Sequence, residues 1–189
     1  DLYVCNTNSK DQYRKIVFDM NYDVDINNTL IAGYLHDIGN LVNRVEHSQS
    51  GAVMAFRILD RMGMEPEDIA TVVTAIGNHD EGTGVPVNAV AAAMILADKA
   101  DVRRSRVRNT DISTFDIHDR VNFSIQENRV TVDRENRIIR HELTMDETSS
   151  VMEYLQIYLS RIVMCEKAAA FLGQRFELCI NGTVVNNRA

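Results

Sequence analysis

Apolar and polar residues along this chain follow two periods, helical up to about residue 107 and alternating beyond about residue 121. Ile16, Val17 and Met20 are spaced for a helix over residues 12–20, after a tail (residues 1–9) with little pattern. Leu30, Ile31, Tyr34, Leu35 and Ile38 mark a second helix, capped by Asp25 or Asn27 and stopped near Gly39-Asn40. Val53, Met54, Phe56, Ile58, Leu59 and Met62 mark a third, with Ser48 or Ser50 as its cap and Gly63 just past its end. Pro66, Glu67 and Asp68 read as a helix start, and Ile69, Val72, Val73 and Ile76 give that helix a buried face as far as Gly77. Residues 79–86 carry two glycines and a proline and read as a loop. A long alanine-rich helix is predicted over residues 87–107.

After Asn109 the pattern changes. Asp111 is placed to cap a short helix through Val121. Apolar residues then alternate at Val121, Phe123 and Ile125, at Val130 and Val132, and at Ile139, Leu143 and Met145, with turns at residues 126–128 and 133–136. That predicts a small antiparallel meander. Met152, Leu155, Leu159, Ile162, Cys165, Ala169 and Leu172 make one stripe of a long helix over residues 147–172. Gly173 ends it, and Phe176, Leu178 and Ile180 form a last strand. The expected class is mainly α: a helical bundle over residues 1–109, then an α+β appendage over residues 110–189 for packing or dimerisation.

Composition narrows the function. The chain has 189 residues, 45% of them hydrophobic, which suits one domain with an appendage. A net charge of −7 argues against a nucleic-acid polymer as partner, which needs a basic surface. The longest apolar run, Ala89 to Ala97, is too short to span a membrane, and no basic-then-apolar leader opens the chain. Cys5, Cys165 and Cys179 are odd in number and far apart, which fits a reducing cytoplasm better than a disulfide framework.

The chemistry is concentrated in Ile31-Ala32-Gly33-Tyr34-Leu35-His36-Asp37-Ile38-Gly39-Asn40, where an apolar run ends in an imidazole beside a carboxylate. On a helix the two sit about 100° apart and both reach one cleft. Burying them is costly without a partner, and a divalent cation is one. The plainer reading is a core histidine held by its neighbouring Asp.

This stretch resembles the signature of the HD-domain superfamily, metal-dependent phosphohydrolases built as helical bundles. The resemblance covers residues 30–108: the pair His36-Asp37, then His47-Ser48-Gln49-Ser50-Gly51-Ala52, then His79, then Asp98 in Ile95-Leu96-Ala97-Asp98-Lys99-Ala100. It implies an HD-type bundle, metal ligands at His36, Asp37, His47, His79 and Asp98, and one or two divalent ions of iron, manganese or zinc. Asp37 is expected to bridge two ions, and Asp37 and His79 to be the catalytic pair. Asp80 and Glu81 are expected to orient His79, and Lys99, Arg103 and Arg104 to meet phosphate. The resemblance departs at two points: the family's upstream His has no counterpart before His36, and Asn40 stands where relatives often carry Lys.

Each residue has a plainer alternative: His47 at a helix start, His79 paired with Asp80, the arginines set against a helix C-terminus. His118-Asp119 has no apolar run before it, and with His141 in a strand it reads as structural. The expected function is hydrolysis of a small phosphorylated metabolite or nucleotide. A non-catalytic binding module and a dinuclear-iron oxygenase of the same fold are the alternatives. A homodimer is the other partner expected.

Overall fold

In the computed structural model, residues 25–186 are described; the helix predicted over residues 12–20, the tail before it and Cys5 lie outside them. Helix α1 (Ile26–Leu35) starts where predicted, because the Asp25 carboxylate accepts from the backbone N–H groups of Asn27 and Asn28. It ends earlier than predicted: His36 closes it and a tighter 3-10 turn (Ile38–Leu41) follows. Gly39 is therefore no helix stop. It is the point where this turn lies directly on helix α2 (His47–Arg61): a Cβ there would collide with the carbonyl of His47 and sit 2.6 Å from the N of Gly51. The close approach is mutual, since a Cβ on Gly51 would lie 3.2 Å from the N of Gly39.

Neither Ser48 nor Ser50 caps α2; both lie inside it. The preceding Glu46 takes the left-handed conformation (φ 56°), unusual for a residue with a side chain, so the chain turns sharply and His47 opens the helix. Ser50 bonds back to the carbonyls of Glu46 and His47 instead. Helix α3 (Pro66–Gly77) begins at its proline, with Glu67 and Asp68 in the first turn, as read from the sequence, and Gly63 ends α2 with φ 73°. Asn28 Nδ2 donates to Asp68 across 2.7 Å and ties α3 to α1.

Helix α4 (Ala89–Lys99) is the buried axis of the bundle. Val90 to Ala97 are all buried, and the helix packs against α1, α3 and the long helix α6 (Val151–Phe171). Its small side chains let neighbouring backbones approach closely. It is shorter than the predicted span of 87–107. Asn88 caps its start, and at its other end the side-chain N–H₂ of Asn128 donates to the carbonyls of Ala100 and Val102 at 2.6 and 2.8 Å. Those tertiary bonds take the carbonyls that a longer helix would have used.

Beyond residue 109, Asp111 caps only a 3-10 turn (Ile112–Thr114), and Asp116 caps helix α5 (Ile117–Ser124), which absorbs Val121 and Phe123 from the predicted strand. Strands β1 (Ile125–Asp133) and β2 (Ile138–Met145) form an antiparallel hairpin with Val130 opposite His141. Residues 126–128, read as a turn, lie within β1 at a bulge. Helix α6 starts with a capping box between Ser150 and Glu153. Strand β3 (Arg175–Ile180) then lies parallel to β2, because α6 carries the chain back across the sheet, and β4 (Thr183–Val184) completes the order β1-β2-β3-β4. The sheet is thus mixed, not a meander. One apolar core joins α4, Ile139, Ile162 and Leu178 on either side of residue 109. Among the described residues no helix is long and apolar enough to cross a membrane.

Two predictions follow from this packing. Gly39→Ala forces a methyl group into backbone atoms, and chemical unfolding should show a loss of roughly 1–3 kcal/mol or more; a variant as stable as the parent would contradict the close approach. His141 is buried and its pKa falls to about 4, because burial disfavours its charged form more than the Ala100 carbonyl favours it. The unfolded chain, with an ordinary His near 6.5, binds the proton first. The contribution of His141 to stability is therefore intact above pH 6.5 and is lost as pH falls from 6.5 towards 4. In His141→Gln, urea unfolding at pH 7 and 4.5 should show a smaller decline, by on the order of 2 kcal/mol. Equal declines in the two proteins would rule this out.

Candidate metal centre

His36 at the end of α1, His47 at the start of α2 and His79 just after α3 come from three helix termini, and all three are buried. Each ring makes the same backbone contact. Nδ1 lies on the carbonyl three residues earlier: His36 on Gly33 at 2.9 Å, His47 on Arg44 at 3.1 Å, His79 on Ile76 at 2.7 Å. A carbonyl only accepts, so each Nδ1 carries the hydrogen, and the neutral ring presents a bare lone pair at Nε2. The hydrogen-bond network thereby assigns all three tautomers.

Those Nε2 atoms converge. His47 Nε2 and His79 Nε2 are 3.1 Å apart, and the His79 ring stands edge-on to His36 and His47 at centroid distances of 5.1 and 5.0 Å. Two lone pairs at 3.1 Å repel unless something positive lies between them. The carboxylates close the set. Asp37 Oδ1 is 3.3 Å from His47 Nε2 and 4.0 Å from His79 Nε2, while Asp37 Oδ2 and Asp98 Oδ1 are each 3.5 Å from His36 Nε2. Ligand atoms about 2.1 Å from one ion lie about 3–3.5 Å from one another, so all of these separations except the 4.0 Å one fall in the range that one ion could span. Two triads qualify, His36/His79/Asp98 and Asp37/His47/His79, with the ligand atoms of each within 4.8 Å of one another.

The protonation pattern has the same origin. Burial alone would lower the pKa of His36, but hydrogen bonding and charge from Asp98, with the charge of Asp37, outweigh it and raise it to about 9. A proton then supplies at His36 the positive charge that the carboxylates call for. Burial, with His36 and Lys99 nearby, outweighs Asp98 and lowers His79 to about 4, so His79 stays a neutral donor. Asp98 is half-buried, which disfavours its charge, yet Lys99 and His36 hold it ionised well below the usual range.

All five residues named as ligands from the sequence are brought together; the supporting residues behave differently from expectation. Lys99, expected to meet phosphate, is buried with Nζ 2.7 Å from Asp98 and 3.4 Å from Glu81. Arg103 pairs with Asp101, and Arg104 with Asp146 and the carbonyl of Phe123. The orienting group of His79 is the Ile76 carbonyl, not Asp80 or Glu81. Asp80 faces His47 at 4.0 Å, and Glu81 stands between Lys99 and Arg161. His118 and His141 lie outside both triads, His141 bonded to Asn128.

Two residues went unread. Arg44 lies with Nη1 3.3 Å from His47 Nε2 and 3.8 Å from Asp37; its place three residues before a candidate ligand was the available signal. Arg161 on α6 pairs with Glu81 at 3.0 Å and lies over the ring of Tyr158. Nothing local marks it, because its partner is distant in the chain. No curated protein and no solved structure matches this chain. A family model described as "HD domain" matches residues 12–120, more than half of it. With the His36–Asp37 pair at the meeting point of its helices, this chain belongs to the HD-domain family.

Proposed function

We propose that the chain is a metal-dependent phosphohydrolase acting on a small phosphorylated compound. The observation that carries this reading is the convergence of three imidazole Nε2 atoms and two carboxylates, with every Nδ1 held on a backbone carbonyl so that each Nε2 faces the cluster. The mixed nitrogen and oxygen set suits iron, manganese or zinc, and HD domains are mostly metal-dependent phosphohydrolases.

His36, His79 and Asp98 would hold one ion, and His47 with Asp37 a second, Asp37 lying between because its two oxygens face His36 and His47. An imidazole nitrogen has one lone pair, so His79 serves one ion at a time, and the second position is the poorer. Bound there, a divalent cation supplies the Lewis acidity that polarises a phosphoryl group and makes water nucleophilic near neutral pH. The side chains do the rest. Lys99 and Arg161 neutralise Glu81, and Lys99 keeps Asp98 ionised and fixed. Asp37, partly exposed, leaves the cluster open to solvent, which would take up the proton that water loses. Burial of the three imidazoles excludes competing solvent from the ligating nitrogens.

A second reading, a non-catalytic ligand- or partner-binding module, draws on Asn40, which stands where relatives often carry Lys. Titration of metal-stripped protein with Mn2+ or Zn2+ separates the two. One equivalent should bind tightly and a second about tenfold or more weakly. Asp37→Ala should lose the weak site and reduce phosphatase turnover on generic phosphoesters by about a hundredfold or more. Substoichiometric metal that Asp37→Ala leaves unchanged would favour the binding module. Consumption of oxygen by the iron form alone would favour an oxygenase.

A further inference from the structure

Among the described residues, three cations border the cluster and differ in what holds them. Lys99 is buried between two carboxylates, and Arg161 is committed to Glu81. Arg44 is held loosely. Its side chain is 66% exposed, and Nη1 lies 3.3 Å from His47 Nε2, 3.4 Å from Asn40 Oδ1 and 3.8 Å from Asp37 Oδ1. All three are long for contacts of a charged donor. Its backbone, by contrast, is fixed. The Arg44 carbonyl accepts from His47 Nδ1, Asn43 folds its own turn by accepting from the N–H of Val45 at 3.0 Å, and Glu46 is held in the left-handed conformation. One residue thus orients His47 with its carbonyl and covers the lone pair of the same ring with its guanidinium.

That lone pair serves one partner. A cation that takes it displaces Nη1, while the Arg44 backbone stays fastened beside the same ion. The guanidinium is then left at the exposed mouth of the cluster with its donors free, and its planar fork matches two oxygens of a phosphoryl group. We infer that Arg44 grips the phosphoryl group of the substrate, and that without metal it covers His47 instead. This rests on the phosphohydrolase reading above. Asn40, one turn earlier, steadies the guanidinium in both states.

The test measures binding rather than turnover. Mn2+ and then inorganic phosphate are titrated by calorimetry into wild-type, Arg44→Ala and Arg44→Lys protein, with a melting curve for each. Arg44→Ala should bind Mn2+ as tightly as wild type or severalfold tighter, because a competing cation is gone, and should bind phosphate roughly tenfold to a hundredfold more weakly. Arg44→Lys, a point charge without the fork, should recover part of the loss. If Arg44→Ala and wild type bind phosphate within about twofold of each other, the inference fails and the reading of the site stands. If Mn2+-loaded wild type takes up no phosphate, both fail. Loss of Mn2+ binding in Arg44→Ala at an unchanged melting temperature would make Arg44 part of the metal shell and overturn the inference. If the alanine variant does not fold, Arg44→Lys decides: phosphate affinity equal to wild type overturns it, and a loss supports it.

Discussion

Three backbone carbonyls, those of Gly33, Arg44 and Ile76, determine what this site is able to do. Each belongs to the last turn of a helix or the turn that opens one, where carbonyls lack a helical partner and are free to accept from a side chain. Each takes the Nδ1 hydrogen of a histidine three residues on. Ring orientation and tautomer are thereby set before any ion arrives, and little of either has to be reorganised on binding. With both rings holding their hydrogen at Nδ1, positive charge beside the two Nε2 atoms favours their 3.1 Å approach.

The rest of the fold maintains that convergence. Gly39 and Gly51 let the turn after His36 lie against α2, which brings Asp37 to His47. The alanine-rich α4 sits between the other helices and delivers Asp98 opposite His36. The C-terminal portion, expected only to pack or to pair, reaches the centre at two points. Asn128 fixes the end of α4 just beyond Asp98, and Arg161 balances Glu81 behind Lys99. The charges are also informative. Among the described residues, Asp37, Asp80, Glu81 and Asp98 face Lys99, Arg44, Arg161 and a protonated His36, so their charges nearly cancel, and a divalent ion in place of the His36 proton adds positive charge, which favours an anion.

Much of this was legible in the residues. A carboxylate at position 98 inside an otherwise apolar run, and an imidazole beside a carboxylate at 36 and 37, are expensive to bury and so announce a shared partner. Helix starts at Asp25 and Pro66, and the end near Gly63, followed from capping chemistry. What escaped was tertiary. The end of α4 depends on Asn128, the start of α2 on a strained Glu46, and the direction of β3 on the crossover through α6. Arg44 and Arg161 acquire their roles only when distant segments meet, and no periodicity records that.

The most direct test of the account observes the imidazole nitrogens themselves. Nitrogen-15 NMR of the histidine rings, recorded while Zn2+ is added to metal-stripped protein near pH 7, reports which nitrogen carries hydrogen and which binds the ion. The account predicts that Nδ1 stays protonated in His36, His47 and His79 throughout, and that the Nε2 resonances of these rings move on Zn2+ binding while those of His118 and His141 do not. Zn2+ binding through Nδ1, or Nε2 resonances that remain in place with Zn2+ in excess, would contradict it.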